Sequence, residues 1–423
     1  MDDQIMEWFS NSPIKKSLKK NYQRIPERIK PCFNPLLSGY SRFKQVYLPV
    51  YLFTGRTTTN EIPFTYAYVG TNLNHQNFWA HLILTPVTEK TFIGNHLLFN
   101  IPTRLKKSYP HCSMILWEES PFTTAFFNNK PAFRIPKWIR MEIDISKSME
   151  TVCRHKHSNY KRIRRKISQH DYNYLITQDA SAFKDFYDNM YAPYVSKRFD
   201  GTGIILPYSN IFDSHTPVDL FLIRKSEMTV AGAVVKYQAG KAVLCWFGVL
   251  QGNFDHVREG VLGAAYYFVI KEMQKKGFAT IDIGDSRPIM NYGVTWHKIS
   301  LLARINDSFE RNSNENLLLT LLHDCQGLRD FLANNQIIYI TKDNELNSTS
   351  WIQQPSLLSQ DEFRDMAILS RRTGFHRHHF ILFKDAKIPQ EWFEMDHDRH
   401  LSVTKAQDYF LQSKMNNGWR LWG

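Results

Sequence analysis

The sequence predicts an α/β protein whose centre, Met141 to Ile305, is a mixed β-sheet flanked by helices. Two observations carry this. Runs rich in β-branched and aromatic residues alternate with runs whose apolar residues recur three and four apart, so strand and helix periods interleave along one stretch. In its middle, three extended runs follow one another across the short turns Lys225–Met228 and Gln238–Gly240, as in an antiparallel meander.

Taken in order, Trp138 to Ile145 alternates apolar and polar residues and reads as a strand. Ser146 then caps a helix running to about Gln169. Tyr160, Ile163 and Ile167 form its inward stripe, and Lys161, Arg162, Arg164, Arg165 and Lys166 cover the rest. These cations repel one another, so the helix needs tertiary packing or a bound anion. It is either a solvated face or a phosphate-facing patch. Tyr172–Thr177 is a strand, and Ser181–Lys197 is a helix kinked at Pro193. The meander is Val218–Arg224, Thr229–Tyr237 and Lys241–Phe247, with Ala231-Gly-Ala233 admitting close approach of a backbone or ligand. Gly260–Lys275 is helical and ends at Gly277. Phe278–Ile283 is a strand, and Lys298–Ile305 is the last one.

The flanks are plainer. Residues 1–30 form a basic arm: Ile5, Met6, Trp8 and Phe9 precede Lys15, Lys16, Lys19, Lys20, Arg24 and Arg28. Such an arm lies on an anionic membrane or docks on its own protein. Residues 31–140 read as an N-terminal α/β segment, a candidate diverged copy of the core. Its strands are Val46–Phe53, Phe64–Val69 and Ser113–Trp117, with Phe92–Phe99 a strand or a short helix. Residues 306–423 read as a C-terminal α/β cap. It has a helix at Glu315–His323, a strand at Gln336–Thr341, a helix after Ser359-Gln-Asp-Glu362 and a strand at His379–Phe383.

With 423 residues, 43 % of them hydrophobic, the chain can build two or three cored domains, which excludes general disorder. The net charge of +13 suggests an anionic partner: nucleic acid, anionic lipid or a phosphate-bearing substrate. The five cysteines are scattered without a C-x-x-C pair, which argues against a disulfide framework or cysteine zinc site and for a reducing compartment. The N-terminus lacks the pattern of a secretory signal, and no run reaches the ~18 apolar residues of a membrane span, so a cytoplasmic location is expected.

The order strand, helix, strand, helix, three-strand meander, helix, strand, strand resembles the GNAT superfamily of N-acyltransferases. Tyr160-Lys-Arg-Ile-Arg-Arg-Lys166, Ala231-Gly-Ala233, Ala279 to Gly284 and Trp296-His-Lys298 resemble its Fem-type and CelD-like branch. The resemblance covers roughly residues 110–305. It implies a mixed, splayed sheet and transfer of an acyl or aminoacyl group to an amine, the carrier lying between the splayed strands.

It also implies that the helix after the meander presents its N-terminus to the carrier's phosphates, which free backbone N–H groups favour. Arg258, Gly260 and Gly263 are the candidates, with Arg162, Arg164 and Arg165 on the basic helix. The glycines depart from the CoA-binding signature, so acyl-CoA, the expected donor, has aminoacyl-tRNA as its alternative. Lys298 matches a lysine of the Fem-type enzymes that polarises the donor carbonyl. Asp282 and Asp285 end a buried strand, where a carboxylate can take the proton of the attacking amine; Tyr292 and His297 are further proton-transfer candidates. A non-catalytic binding module of the same fold is the reading from another class. Cys153-Arg-His-Lys-His157 and His376-Arg-His-His379 lack metal-ligand spacing, so no metal site is expected. The acyl group, acceptor and oligomeric state leave no signature.

Overall fold

The computed structural model describes residues 46–127, 131–148, 158–198, 205–212, 217–238, 240–306, 316–353, 359–383 and 401–409. The basic arm at 1–30 and the Cys153–His157 run lie outside them.

The chain opens on a hairpin, β1 (Tyr47–Thr57) with β2 (Pro63–Val69), paired antiparallel. Helix α1 (Leu73–Ile83) follows, its first turn capped by Asn72, whose side chain accepts from the His75 N–H. β3 (Leu84–Leu97) returns along β1, so Phe92 to Leu97 is strand. After α2 (Ile101–Ser108), β4 (Cys112–Glu118) lies parallel to β2, and the short β5 (Phe133–Ile135) follows.

With β6 (Ile139–Asp144) the chain enters a second sheet. There follow α3 (Tyr160–Gln169), β7 (Tyr172–Thr177) and α4 (Ala180–Phe186), which runs through a π-helical turn at Tyr187–Tyr191 into α5 (Ala192–Arg198). In that turn the Ala192 N–H reaches back to the Tyr187 carbonyl, just before Pro193, which has no N–H to donate. The meander is β8 (Val218–Lys225), β9 (Met228–Gln238) and β10 (Lys241–Val249). Then come α6 (Phe254–Glu259), α7 (Val261–Lys275), β11 (Thr280–Ser286), α8 (Gly293–Ser300) and the two-residue β12 (Arg304–Ile305). The seven strands lie in the order β12-β6-β11-β10-β9-β8-β7.

The chain then returns to the first sheet with β13 (Leu317–Leu321), α9 (Gln326–Asn334), β14 (Ile338–Ile340), β15 (Leu346–Ile352), α10 (Gln360–Thr373), β16 (Arg377–Leu382) and β17 (Leu401–Lys405). That sheet has ten strands, in the order β17-β16-β15-β14-β5-β13-β4-β2-β1-β3. Segments from both ends of the sequence therefore share it: β13 inserts between β4 and β5.

The second sheet is splayed as expected. β10 and β11 are parallel but pair only at Ala242 with Ile281 and Val243 with Asp282. A bulge in β10 between Leu244 and Trp246, and a register shift in β11 between Asp282 and Asp285, turn the strands apart. Helix α7 covers one face of this sheet with Val261, Ala264, Ala265, Val269 and Met273 buried. Gly263 lets α3 approach, because a Cβ there would stand 3.0 Å from Ile163 Cγ1.

Three elements differ from the sequence expectation. Among the described residues Ser146 caps no helix: its N–H and hydroxyl both bond the Asp144 carboxylate in a turn that ends β6, and the described helix starts at Tyr160. Lys298 lies on a helix, not on the last strand. Thr295, Lys298 and Ile299, spaced three and four, are the buried face of α8, and polar residues at two of those positions disguise the helical period. Glu315–His323 is not a helix, since Leu317–Leu321 is a strand buried on both faces between β4 and β5. A short run of unbroken apolar residues fits either state by pattern alone.

Candidate functional site

β11 ends in a built turn. The Asp282 carboxylate, 7 % exposed, accepts from Arg140 Nε at 2.5 Å and from the Gly284 N–H at 2.8 Å. That second bond closes the turn over Gly284, whose φ of 75° suits glycine. The turn delivers Asp285 and Arg287 to a cleft of about 600 Å³ between the end of β11 and helix α1. Asn77, Phe78 and His81 from α1 form one wall; Trp138, Asp285, Arg287 and Tyr292 form the other.

The loop from Arg287 to Tyr292 bridges the two sheets. Met290 N–H bonds the Gln336 carbonyl at 2.8 Å, and Ile338 N–H bonds the Pro288 carbonyl at 2.9 Å. Thr295 Oγ1 on α8 donates to the Arg287 carbonyl at 2.8 Å. The cleft wall is thus fastened to a strand and to a helix, which is the rigidity that a preorganised site needs.

Asp285 lines the cleft and keeps much of its side chain open to solvent. Burial raises its pKa; Arg140 and Lys298 pull the other way, and Asp282 adds to the rise. Lys298 sits behind it. Only 4 % exposed, its Nζ donates to the carbonyls of Gly284 at 3.0 Å and Asp285 at 2.9 Å. Burial lowers the ammonium to about 8 despite the attraction of Asp285 and Asp282. Lys298 therefore holds the strand end from beneath and does not line the cleft. Tyr292 does line it, with its ring edge against Phe78 at 5.6 Å. His297 is half-buried beside Tyr266, and desolvation together with Arg198, Arg162 and Lys298 lowers it to about 4, so it is neutral at pH 7.

The remaining candidates gather elsewhere, at the contact of α3 with α7. Arg162, Arg164 and Arg165 are exposed on α3. Arg258 is exposed and pairs with Asp255 at 2.7 Å. Gly260, with φ 97°, joins α6 to α7, and Lys166 lies over it, its Nζ donating to the Arg258 carbonyl. None of these six lines the cleft. In the C-terminal part, His378 spends its ring nitrogens on Ser348 and Ser350, and His379 on Asn347 and Ser402.

The sequence reading missed Arg287. Its guanidinium packs over two rings, 4.0 Å from the Phe78 centroid and 3.8 Å from that of Trp138. Burial pulls it down to about 10, and Tyr292 acts the other way. Arg287 follows Ser286 immediately, but its aromatic partners come from α1 and the approach to β6, and no local pattern joins the three.

No protein-family model matches the chain, and no curated protein does. Among solved structures, the chain is similar to that of FemX, at 11 % identity over 63 % of this chain and 83 % of that one, with a TM-score of 0.33. It is similar to the C-terminal domain (DUF2156) of a putative lysylphosphatidylglycerol synthetase from Agrobacterium fabrum, at 9 % identity over 66 % and 83 %, TM-score 0.27. A GCN5-related N-acetyltransferase from Anabaena variabilis matches at 9 % identity over 78 % and 83 %, TM-score 0.24.

Proposed function

We propose that this protein transfers an acyl or aminoacyl group to an amine, with Asp285 as the base. The observation that carries the reading is the Asp285 carboxyl. It ends the strand that splays from β10, opens into a cleft, and has its pKa raised by burial. A base tuned upward from the ordinary carboxylate range binds an ammonium proton more readily. In the transfer the amine nitrogen attacks the donor carbonyl carbon. A C–N bond forms, and the bond to the carrier's sulfur or oxygen breaks. Asp285 takes the proton shed by the amine, and the departing thiolate or alkoxide takes one up. The unpaired edges of β10 and β11 beyond Val243 and Asp282 offer backbone groups to a donor lying between them. Lys298 serves as a positioning residue through the carbonyls of Gly284 and Asp285.

Acyl-CoA is the simplest phosphate-bearing donor. A second reading, aminoacyl-tRNA, is favoured by one observation: the start of α7 is covered by Lys166, while Arg162, Arg164 and Arg165 stand exposed. Exposed cations along a helix suit a polyanion better than a single pyrophosphate. A thermal-shift screen of the full chain with acyl-CoAs and with charged tRNA tests the donor, since a ligand that binds only the folded state raises the melting temperature. Stabilisation by one donor class, followed by Asp285-dependent transfer to an amine, is the expected result. Stabilisation without transfer to any amine would make the protein a binding module of the same fold.

A further inference from the structure

Among the cleft's residues, Arg287 has the least ordinary setting. Its guanidinium carbon packs over two aromatic rings, Phe78 at 4.0 Å and Trp138 at 3.8 Å. All five donors of a guanidinium lie in its plane, so an oxyanion is taken at its edge. Among the described residues no carboxylate pairs with that edge, and the residue lines the cleft. A half-buried cation packed over two rings and left without a carboxylate partner fits a planar or tetrahedral oxyanion taken bidentately. Asp285 lines the same cleft. The base and the cation thus line one pocket.

On the transfer reading above, we infer that the amine acceptor also carries an anionic group, a carboxylate or a phosphate, which seats on the edge of Arg287 while its amine reaches Asp285. The two ring contacts make this a fixed clamp: Arg287 cannot swing to follow a misplaced acceptor without leaving both rings.

Isothermal titration of the full chain at low salt with two matched pairs tests it. One pair is alanyl-alanine against its C-terminal amide; the other is phosphoethanolamine against ethanolamine. In the wild type, the anionic member of one pair binds at least about ten-fold more tightly than its neutral mate, the weight of a charge-assisted hydrogen bond. A carboxylate preference assigns an amino-acid or peptide acceptor, and a phosphate preference an aminoalkyl phosphate. Arg287→Met erases the preference, and so does Arg287→Gln, which keeps a planar head if the first variant fails to fold. The inference is overturned if neither pair discriminates in the wild type, or if the preference survives both substitutions. Asp285→Asn separates the two proposals: it leaves the anion preference in place while slowing transfer at neutral pH by about 100- to 10,000-fold. A preference found without any transfer sinks only the catalytic reading; transfer without a preference sinks only the clamp.

Discussion

Replacing Lys298 with Met keeps most of the stem and removes the ammonium from a nearly dry site. Two carbonyls, those of Gly284 and Asp285, then lose their donor. A buried polar group left unpaired costs about 1–3 kcal/mol, so the pair costs roughly 2–6 kcal/mol. The opposing effect is relief from burying a charge. Burial lowers the ammonium from 10.5 to about 8. Keeping it charged in the fold at pH 7 therefore costs about 3 kcal/mol. The two partly offset, and Lys298→Met should change stability at pH 7 by between a gain of about 1 kcal/mol and a loss of about 3 kcal/mol.

The pH dependence is sharper, because its sign is fixed. Between about 8 and 10.5 the unfolded chain still holds the lysine proton that the folded chain has released. The unfolded state binds more protons there, so wild-type stability attributable to this residue rises with pH. The neutral amine can still donate to both carbonyls. The stability gap between wild type and Lys298→Met should therefore widen from pH 7.5 to pH 9.5, which paired urea unfolding curves at the two pH values would measure. A gap that stays constant or narrows would refute the buried-ammonium account.

Gly248→Ala places a Cβ 2.6 Å from the Tyr191 backbone nitrogen and 2.7 Å from the Met190 carbonyl carbon, so strand β10 must move off the π-turn. A loss of about 3 kcal/mol, at the upper end for overpacking, is expected in chemical denaturation; a loss under about 1 kcal/mol would mean that the contact is not as close as described. Replacing Arg162, Arg164 and Arg165 together with Gln should leave the melting temperature unchanged. If the donor is tRNA, the slope of log affinity against log salt should flatten by about two to three, measured by filter retention. The acid limb of the transfer rate should lie above the ordinary carboxylate range, because Asp285 must be deprotonated to act and burial raises its pKa. The rate then falls as pH drops through that raised value.

What was legible in the sequence was local. Asp285 was visible because it ends a strand at the Gly284 punctuation, and the meander because its turns are short. The helix bearing Lys298 was not, since Thr295 and Lys298 occupy buried positions where apolar residues would have announced the period. Leu317–Leu321 carries no period at all. The sharing of the ten-stranded sheet by both ends of the chain depends on pairing such as β13 with β4, and nonlocal register leaves no short-range trace. The Arg287 clamp is hidden for the same reason: its rings, Phe78 and Trp138, meet it only after the sheets are joined through the Ile289–Ile337 bridge.

The most direct test of the account is the single-turnover rate of Asp285→Asn against wild type, with whichever donor the thermal screen selects and a saturating amine acceptor. Asn keeps the shape of the side chain and removes the base. The rate should fall by about 100- to 10,000-fold, the weight of a general base, with donor affinity and melting temperature unchanged. The fall should be smallest at high pH, where free amine is abundant and needs no base. A variant that transfers at the wild-type rate at neutral pH would contradict the central claim, because the cleft would then hold its amine without using the carboxylate that the strand end presents to it.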